Sequence, residues 1–173
     1  MISPGGDKAS QRGGPTRTER IIGGVDIRDV GVCACLQLRR TARMATQVFE
    51  AHLQPAGVTI GQFGVLAQLY GCSLLRGPVT IKELSGLIGM DPTTLNRTLK
   101  PLETQGLVGA GPDDRDRRAR RVRLTPAGRE RLIAAMPLWQ AADREFRRVV
   151  GEETTVALSG LLDLAGRRLR DED

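Results

Sequence analysis

The feature that most constrains the fold is the segment from residue 77 to residue 108, GPVTIKELSGLIGMDPTTLNRTLKPLETQGLV. Thr80 and Glu83 have the T-x-x-E spacing of a capping box, which predicts the start of a short helix. Gly89 is a suitable end for that helix. Asp91, which is followed by a proline, is suited to cap a second helix. The segment therefore predicts two short helices joined by a tight turn.

Each of these two helices has one apolar face. Helical periodicity predicts six buried residues, Ile81, Leu84, Ile88, Leu95, Leu99 and Leu102. The second helix is left with a polar, cationic surface formed by Thr93, Thr94, Asn96, Arg97 and Lys100. Such a surface is typical of a helix-turn-helix that binds DNA, although an ordinary polar helix face has the same composition. Pro101 is expected to kink the helix near its end.

The following segment predicts a β-hairpin with a highly charged tip. The residues after Gly106, LVGAG, can form one strand, and residues 120–125, RRVRLT, alternate between cationic and apolar side chains. Val122 and Leu124 then share one face of the second strand. Residues 112–125 contain six arginines and three aspartates, and a tail that only coats nucleic acid would not need the aspartates. We therefore expect a charged hairpin beside the helix-turn-helix.

Four longer helices complete the predicted fold. The first, from about Asp29 to Leu53, has an apolar seam formed by Cys35, Leu38, Ala42, Ala45 and Phe49. Thr59 is suited to cap the second helix, which covers residues 58–70. The two C-terminal helices run from about residue 126 to residue 150 and from residue 152 to residue 170.

Together these elements predict a mainly α fold with a small β-hairpin wing. Residues 1–25 are rich in Gly, Arg and small polar residues, which predicts a disordered basic arm. Residues 58–125 form the expected winged helix-turn-helix domain. Residues 26–57 and 126–173 form the expected helical dimerisation region, because apolar faces at both ends of the chain need a partner.

Composition indicates the class of partner. The chain has 26 Lys and Arg against 20 Asp and Glu, a net charge of +6, which favours a polyanionic partner such as DNA. Because no apolar run reaches the length of a membrane span and no signal peptide is evident, we expect a cytoplasmic protein without a membrane partner. His52 is the only histidine, and the sequence has no Walker-type phosphate loop. We therefore expect no catalytic residues, no metal site and no cofactor.

The order of elements resembles the MarR family of winged-helix transcription regulators, from about Gly31 to Leu169. The most specific matches are TIKELSGLIGMDPTTLNRTLKPLETQGLV, the D-x-R at Asp116 and Arg118, and RLTPAG at residues 123–128. The resemblance implies a homodimer that binds double-stranded DNA with the second helix of the motif in the major groove. It also implies a repressor that is released by a small-molecule effector bound between the dimer helices and the DNA-binding lobes.

By this resemblance, Arg118 would enter the adjacent minor groove, with Asp116 as its orienting partner. A carboxylate can fix the rotamer of an arginine through a bidentate bond, and a narrow minor groove attracts arginine. The other wing candidates for DNA contact are Arg115, Arg117 and Arg120. Two alternatives stay open: a register shifted by two residues towards Asp114, and a solvated charged loop without a DNA contact.

Cys35 and Cys33 are the candidates for redox sensing. By the same resemblance, Cys35 falls where the family's organic-hydroperoxide sensors keep their reactive cysteine. In those sensors two tyrosines hold the thiolate, but Phe49 and Ile60 occupy the matching positions here. On a regular helix Cys33 and Cys35 would be about 200° apart, so we expect them to share neither a disulfide nor a metal. The alternative role for both is that of small apolar residues on a packing seam.

The sequence is compatible with three functions. The sequence favours a DNA-binding regulator released by a small molecule over one released by oxidation of Cys35. A winged helix used only for protein contact would bind DNA weakly and without sequence preference. A small thiol-dependent reductase rests on the C-x-C at Cys33 and Cys35 alone, and its turnover would be lost when either cysteine is mutated.

Overall fold

The structure is a computed structural model that describes Thr16, residues 20–112 and residues 120–171. The chain divides into two compact units, Met1–Arg43 and Met44–Asp173. The described residues are mainly helical and include two small antiparallel sheets. The predicted fold class, mainly α with a β-hairpin wing, is therefore confirmed.

The first unit contains a short β-hairpin followed by a five-residue helix. Strands β1 (Ile21–Ile22) and β2 (Val25–Asp26) pair antiparallel, and helix α1 (Ile27–Gly31) follows directly. Asp26 caps α1 by accepting the backbone N–H of Arg28 at 3.0 Å, and the Arg28 guanidinium lies 2.6 Å from its carboxylate. The guanidinium bond, and then the backbone bond, lower the pKa of Asp26 to about 2.

This hairpin differs from the disordered arm that was predicted up to residue 25. The turn between its strands consists of Gly23 and Gly24, which have φ values of 57° and 85°. Two adjacent residues with positive φ are what a two-residue hairpin turn requires, and only glycine adopts them readily. The earlier part of the predicted arm, residues 1–15 and 17–19, lies outside the described residues.

The single helix predicted from Asp29 to Leu53 is also divided in the structure. Helix α1 ends at Gly31, and helix α2 (Ala34–Leu53) begins three residues later. Glycine is a poor helix former, and Val32 follows with φ −96° and ψ 3°, outside the helical region. The break places Cys33 before α2 rather than within a continuous helix.

After α2 the chain forms the elements of the second unit. In order they are a 3₁₀ turn (Gln54–Ala56), α3 (Ile60–Leu75), β3 (Val79–Thr80), α4 (Ile81–Ile88), α5 (Pro92–Thr104), β4 (Val108–Pro112), β5 (Arg120–Leu124), α6 (Pro126–Val150) and α7 (Glu152–Asp171). Helices α4 to α7 and strand β5 lie where the sequence predicted them, whereas α3 continues to Leu75, beyond its predicted end at residue 70. Pro101 and Pro137 lie inside α5 and α6, and neither helix ends there.

The three predicted caps are present, and a fourth cap lies at the start of α6. The cap side chains belong to Thr59, Thr80, Asp91 and Thr125, and each accepts the N–H of the residue three positions later. In α3 and α4 the side chain of that third residue bonds back to the backbone of the cap, which completes a capping box. Local hydrogen bonding therefore fixes where each of these helices begins.

The wing strands belong to a three-stranded antiparallel sheet in the order β3-β5-β4. Val122 in the central strand pairs with Val79 on one side and with Ala110 on the other. Val122 is fully buried, and Val79 is nearly so. The third strand, β3, was not predicted, and it joins the wing to the start of the helix-turn-helix.

A single apolar core lies beneath the helix-turn-helix. Its largest fully buried side chains include Leu53, Leu66, Leu69, Leu84, Leu95, Leu99 and Leu102. Helix α6 packs on α3, and Trp139 stacks on Phe63 with ring centroids 6.0 Å apart. The predicted apolar faces of α4 and α5 are thus the faces that pack into the core, to which α3 also contributes.

Helix α6 approaches the wing closely where it begins. A Cβ on Gly128 would lie 2.0 Å from the carbonyl oxygen of Leu107 and 2.8 Å from Leu124 Cδ1, so only glycine fits. The Thr125 hydroxyl donates to the carbonyl of Gly106 at 2.7 Å and accepts the N–H of Gly128 at 3.0 Å. The RLTPAG sequence therefore forms a tight corner between β5 and α6.

Among the described residues, no single helix is both long and apolar enough to cross a membrane. Helices α2 and α3 reach that length and hydropathy only as a pair bent by 71°. Within the same residues, no group of His, Cys, Asp and Glu is arranged to hold a metal ion.

Candidate nucleic-acid interface

Helix α5 presents the predicted polar surface to solvent. Leu95, Leu99 and Leu102 are fully buried and anchor one side of the helix. The predicted contact residues Thr93, Thr94, Asn96, Arg97 and Lys100 are all exposed. A polar, cationic helix face held on a rigid apolar base can enter a DNA groove without rearrangement.

The turn between α4 and α5 is fixed by local bonds. Gly89 ends α4 in the left-handed conformation with φ 71°, and the Ser85 hydroxyl donates to the carbonyl of Met90. Asp91 then caps α5, and its side-chain bond to Thr94 lowers the pKa of the Asp91 carboxyl. At the start of α4, the bond from the Thr80 backbone lowers the pKa of Glu83. An ionised carboxylate, Glu83 in α4 and Asp91 before α5, thus stabilises the start of each helix of the motif.

The wing is described up to Pro112 and from Arg120 onwards. Four of the predicted wing contacts, Arg115, Asp116, Arg117 and Arg118, lie outside the described residues. Their roles in DNA binding therefore stay predictions.

Arg120, the remaining wing candidate, is held by a residue that the sequence analysis did not single out. Its Nη2 atom lies 2.5 Å from Glu103 Oε2 near the end of α5. The next arginine, Arg121, donates to the carbonyl oxygen of Pro78 at 2.7 Å. For the contact between Arg120 and Glu103, the sequence offered only one signal: Glu103 is the sole carboxylate in α5.

The two N-terminal cysteines are exposed, whereas Cys72 is buried in the core. Cys33 precedes α2, and its carbonyl accepts the N–H of Gln37 at 3.0 Å. The 200° separation expected for a regular helix therefore does not apply to Cys33 and Cys35. Phe49, at one of the positions that a tyrosine occupies in the hydroperoxide sensors, packs against Phe146 at 6.1 Å between ring centroids.

A groove of about 540 Å³ lies where α6 leaves the wing. Its walls come from α3, the end of β5 and the first turns of α6, and they include Tyr70, Leu74, Thr125, Arg129 and Ile133. The Arg129 guanidinium carbon lies 5.8 Å from the centre of the Tyr70 ring. The groove thus combines apolar walls with a cation beside an aromatic ring, and the Glu130 side chain also lines it.

Known proteins share this sequence pattern and fold. A profile of the MarR family matches residues 56–119. The uncharacterized HTH-type transcriptional regulator YwoH of Bacillus subtilis (strain 168) is 32% identical over 72 residues, which cover 42% of this chain. The chain spans only half, 50%, of the length of this relative.

Two solved structures extend the likeness to most of the chain. The M. tuberculosis transcriptional regulator MosR, in complex with DNA, is 34% identical with a TM-score of 0.65, and the match covers 80% of this chain and 97% of MosR. Bordetella bronchiseptica BpsR, whose DNA binding is regulated by 6-hydroxynicotinic acid, is 23% identical with a TM-score of 0.67. That match covers 83% of this chain and 96% of BpsR, and at such identity it shows the fold alone.

Proposed function

The chain belongs to the MarR family of winged-helix, DNA-binding transcription regulators, and we propose that it is a repressor that binds an inverted-repeat operator as a homodimer. One observation carries the proposal: the exposed polar and cationic face of α5, which stands on three fully buried leucines. In the proposed complex α5 lies in the major groove and the wing contacts the adjacent minor groove. Family and fold are those of regulators that are not enzymes, so the reductase interpretation has no support beyond the two cysteines.

The dimer part of the proposal rests on apolar side chains that a single chain leaves exposed. On α7 these are Val156, Leu161, Leu162, Leu164 and Leu169. In the first unit, Leu36 and Leu38 on α2 are also exposed. An isologous contact between two copies would cover exposed apolar side chains of this kind.

The effector part of the proposal uses the groove beside Tyr70 and Arg129. BpsR responds to 6-hydroxynicotinic acid, and a small ring compound with an acidic group suits apolar walls beside a cation and an aromatic ring. Because the groove touches both β5 and α6, a ligand there would favour one arrangement of the wing against the long helix. It would then shift the population away from the DNA-binding arrangement.

The main test is selection of duplexes from a random pool by the full-length protein. We expect an inverted repeat with half-site centres about one helical turn apart, bound by two copies of the chain. Light scattering after size-exclusion chromatography gives the mass of the free protein and of the complex. A monomer at micromolar concentration that binds a single half-site would contradict the proposal.

Release by effectors is then measured on the selected duplex. Small aromatic acids are titrated against the wild type and against Arg129→Gln, which removes the cation from the groove. We expect release of the wild type at lower ligand concentration than the variant. Arg148→Gln is the matched control, because this arginine is exposed on α6 and does not line the groove.

A second candidate signal is oxidation, which the exposure of Cys33 and Cys35 favours. Only a thiol that solvent reaches reacts rapidly with a peroxide. Operator binding by the wild type, Cys33→Ser and Cys35→Ser is measured across a hydroperoxide titration. Rapid release of the wild type that is abolished in Cys35→Ser would place oxidation ahead of the small molecule as the main signal.

A further inference from the structure

The Glu103–Arg120 ion pair joins the recognition helix α5 to the second strand of the wing. Arg120 Nη2 lies 2.5 Å from Glu103 Oε2, and the two residues are 17 positions apart in the sequence. The Glu103 side chain is 23% exposed and the Arg120 side chain 45% exposed. The pair therefore lies at the edge of the proposed DNA-binding surface. Arg120 is largely accessible to solvent there, whereas Glu103 is mostly covered.

Glu103 is poorly suited to face DNA by itself. It is the only carboxylate in the α5 sequence, three residues after the exposed Lys100. Within the part of the chain that the structure describes, its second oxygen, Oε1, is buried without a hydrogen-bond partner. A carboxylate that has lost much of its hydration depends on a paired cation, and Arg120 is that cation.

The neighbouring arginines of β5 also have contacts within the protein. Arg121 donates to the Pro78 carbonyl, and the Arg123 guanidinium covers Gly109, with its carbon 3.4 Å from where a Cβ of that glycine would lie. Arg120 and Arg121 thus join the wing to the helix-turn-helix and the residues before it, whereas Arg123 lies against the neighbouring wing strand. The expected contact between Arg120 and DNA stays a prediction.

We propose that Glu103 limits the sequence-independent part of the DNA affinity, because it holds Arg120 on the recognition helix and withholds it from the DNA phosphates. This inference rests on the proposed operator binding. Phosphate contacts strengthen binding to every duplex equally, whereas contacts to base edges distinguish one sequence from another. An arginine released from Glu103 adds a phosphate contact, so the affinities for the operator and for any other duplex rise by the same factor.

The experiment compares two duplexes, one selected from a random pool by the wild type and one with the same bases shuffled. Dissociation constants are measured between about 50 and 200 mM salt, where each phosphate contact adds about 0.9 to the slope of log K against log salt. The variants are Glu103→Gln, Arg120→Gln and the double variant. Glu153→Gln is the matched control, because it removes one exposed carboxylate from α7.

For Glu103→Gln we expect a slope steeper by about one and up to about tenfold tighter binding of the shuffled duplex at 50 mM salt. The ratio of affinities for the selected and shuffled duplexes should stay at the wild-type value, because both duplexes gain the same phosphate contact. In the double variant the slope should return to the wild-type value, because no arginine is left to release. Arg120→Gln alone should weaken both duplexes and make the slope shallower by clearly less than one, since the unpaired Glu103 carboxylate repels the phosphates but no phosphate contact is lost.

Two results would overturn the inference. One is a wild-type slope in Glu103→Gln. The other is a slope shallower by about one in Arg120→Gln, which would show that Arg120 already contacts a phosphate in the wild type. Thermal unfolding is recorded for each variant, and Arg120→Gln decides the question if Glu103→Gln does not fold. Equal binding of both duplexes by the wild type would instead refute the proposed function itself.

Discussion

Asp91 and Thr94 are joined by two hydrogen bonds at the start of the recognition helix. The Thr94 backbone N–H donates to Asp91 Oδ1 at 2.9 Å, and the Thr94 hydroxyl donates to Oδ2 at 2.5 Å. The hydroxyl hydrogen of Thr94 is therefore already used within the protein. In a complex with DNA, this side chain can offer only a lone pair or its methyl group, which suits contact with a thymine methyl better than donation to a base.

The first prediction concerns acid stability. The Thr94 hydroxyl bond lowers the pKa of Asp91 in the folded chain, so its stabilisation is complete above the unfolded pKa of about 3.9 and is lost as the pH falls through the lower folded pKa. Asp91→Asn retains a side-chain acceptor for the cap but cannot titrate. We expect this variant to lose less of its melting temperature than the wild type between pH 5 and the acid limit. Glu153→Gln, at an exposed position of α7, should follow the wild-type curve of melting temperature against pH. An Asp91→Asn curve parallel to the wild-type curve would contradict the prediction.

The second prediction separates base contacts from phosphate contacts on α5. Asn96→Ala should weaken binding to the selected duplex by about 1–3 kcal/mol and leave the shuffled duplex unaffected, because an amide side chain reads a base edge. Lys100→Gln should weaken both duplexes and reduce the salt slope by about one. Fluorescence anisotropy on both duplexes over a salt series measures these effects. If Asn96→Ala weakens both duplexes alike, Asn96 does not read a base.

The third prediction concerns the charged tip of the wing. Arg118→Ala should weaken operator binding by about 1–3 kcal/mol. Asp116→Ala should also weaken it, because the carboxylate is proposed to orient the arginine. Counting charges alone predicts the opposite sign for the aspartate. Tighter binding by Asp116→Ala would therefore support a solvated loop without a role in recognition.

The fourth prediction concerns Gly128. Gly128→Ala places a Cβ 2.0 Å from the Leu107 carbonyl oxygen, so the corner between β5 and α6 must shift. We expect the free energy of unfolding to fall by about 1–3 kcal/mol or more. Gly86→Ala is the control, because a Cβ there meets nothing within 4 Å in helix α4. Urea denaturation should show Gly86→Ala stabilised by about 0.4–1 kcal/mol, opposite in sign to Gly128→Ala.

The fifth prediction tests the dimer surface. Leu161→Glu puts a charge among the exposed apolar side chains of α7 and should raise the dimer dissociation constant at least tenfold, because a charge is rarely tolerated in an apolar interface. Leu75→Glu is the control, since Leu75 is 86% exposed at the end of α3 and lies outside α7. Sedimentation equilibrium measures the dimer dissociation constant of each variant. Equal effects of the two substitutions would show that α7 is not part of the interface.

The sequence predicted the helices of the motif well because the signals that begin and end them are local. Thr80 with Glu83, and Asp91 with the following proline, determine helix starts through bonds that span only three residues. The leucines of α5 fall on one face through periodicity alone, and all three are fully buried. Elements specified within a few residues can be located without knowledge of the rest of the chain.

The contacts that the sequence did not reveal join residues that are far apart in the chain. Val79 pairs with Val122 across 43 positions, so two residues before α4 become a strand only because β5 lies beside them. The contact between Glu103 and Arg120 likewise depends on how the wing returns to α5. The break before α2 was missed for a different reason. The apolar seam on which the single helix was predicted begins at Cys35, after the break, and Gly31, where α1 ends, was not treated as the end of a helix.

Because the corner at Gly128 is tightly packed, we expect the wing and α6 to move together. Helix α6 has 25 residues and is therefore about 37 Å long at about 1.5 Å per residue. If the corner does not bend, a rotation of about 5° around it moves the far end of the helix by about 3 Å. A displacement of that size, applied where α6 meets α7, would be transmitted to the wing tip as a change of angle. The close packing that only glycine permits at residue 128 would then determine how much of a displacement at the α6–α7 junction reaches the wing.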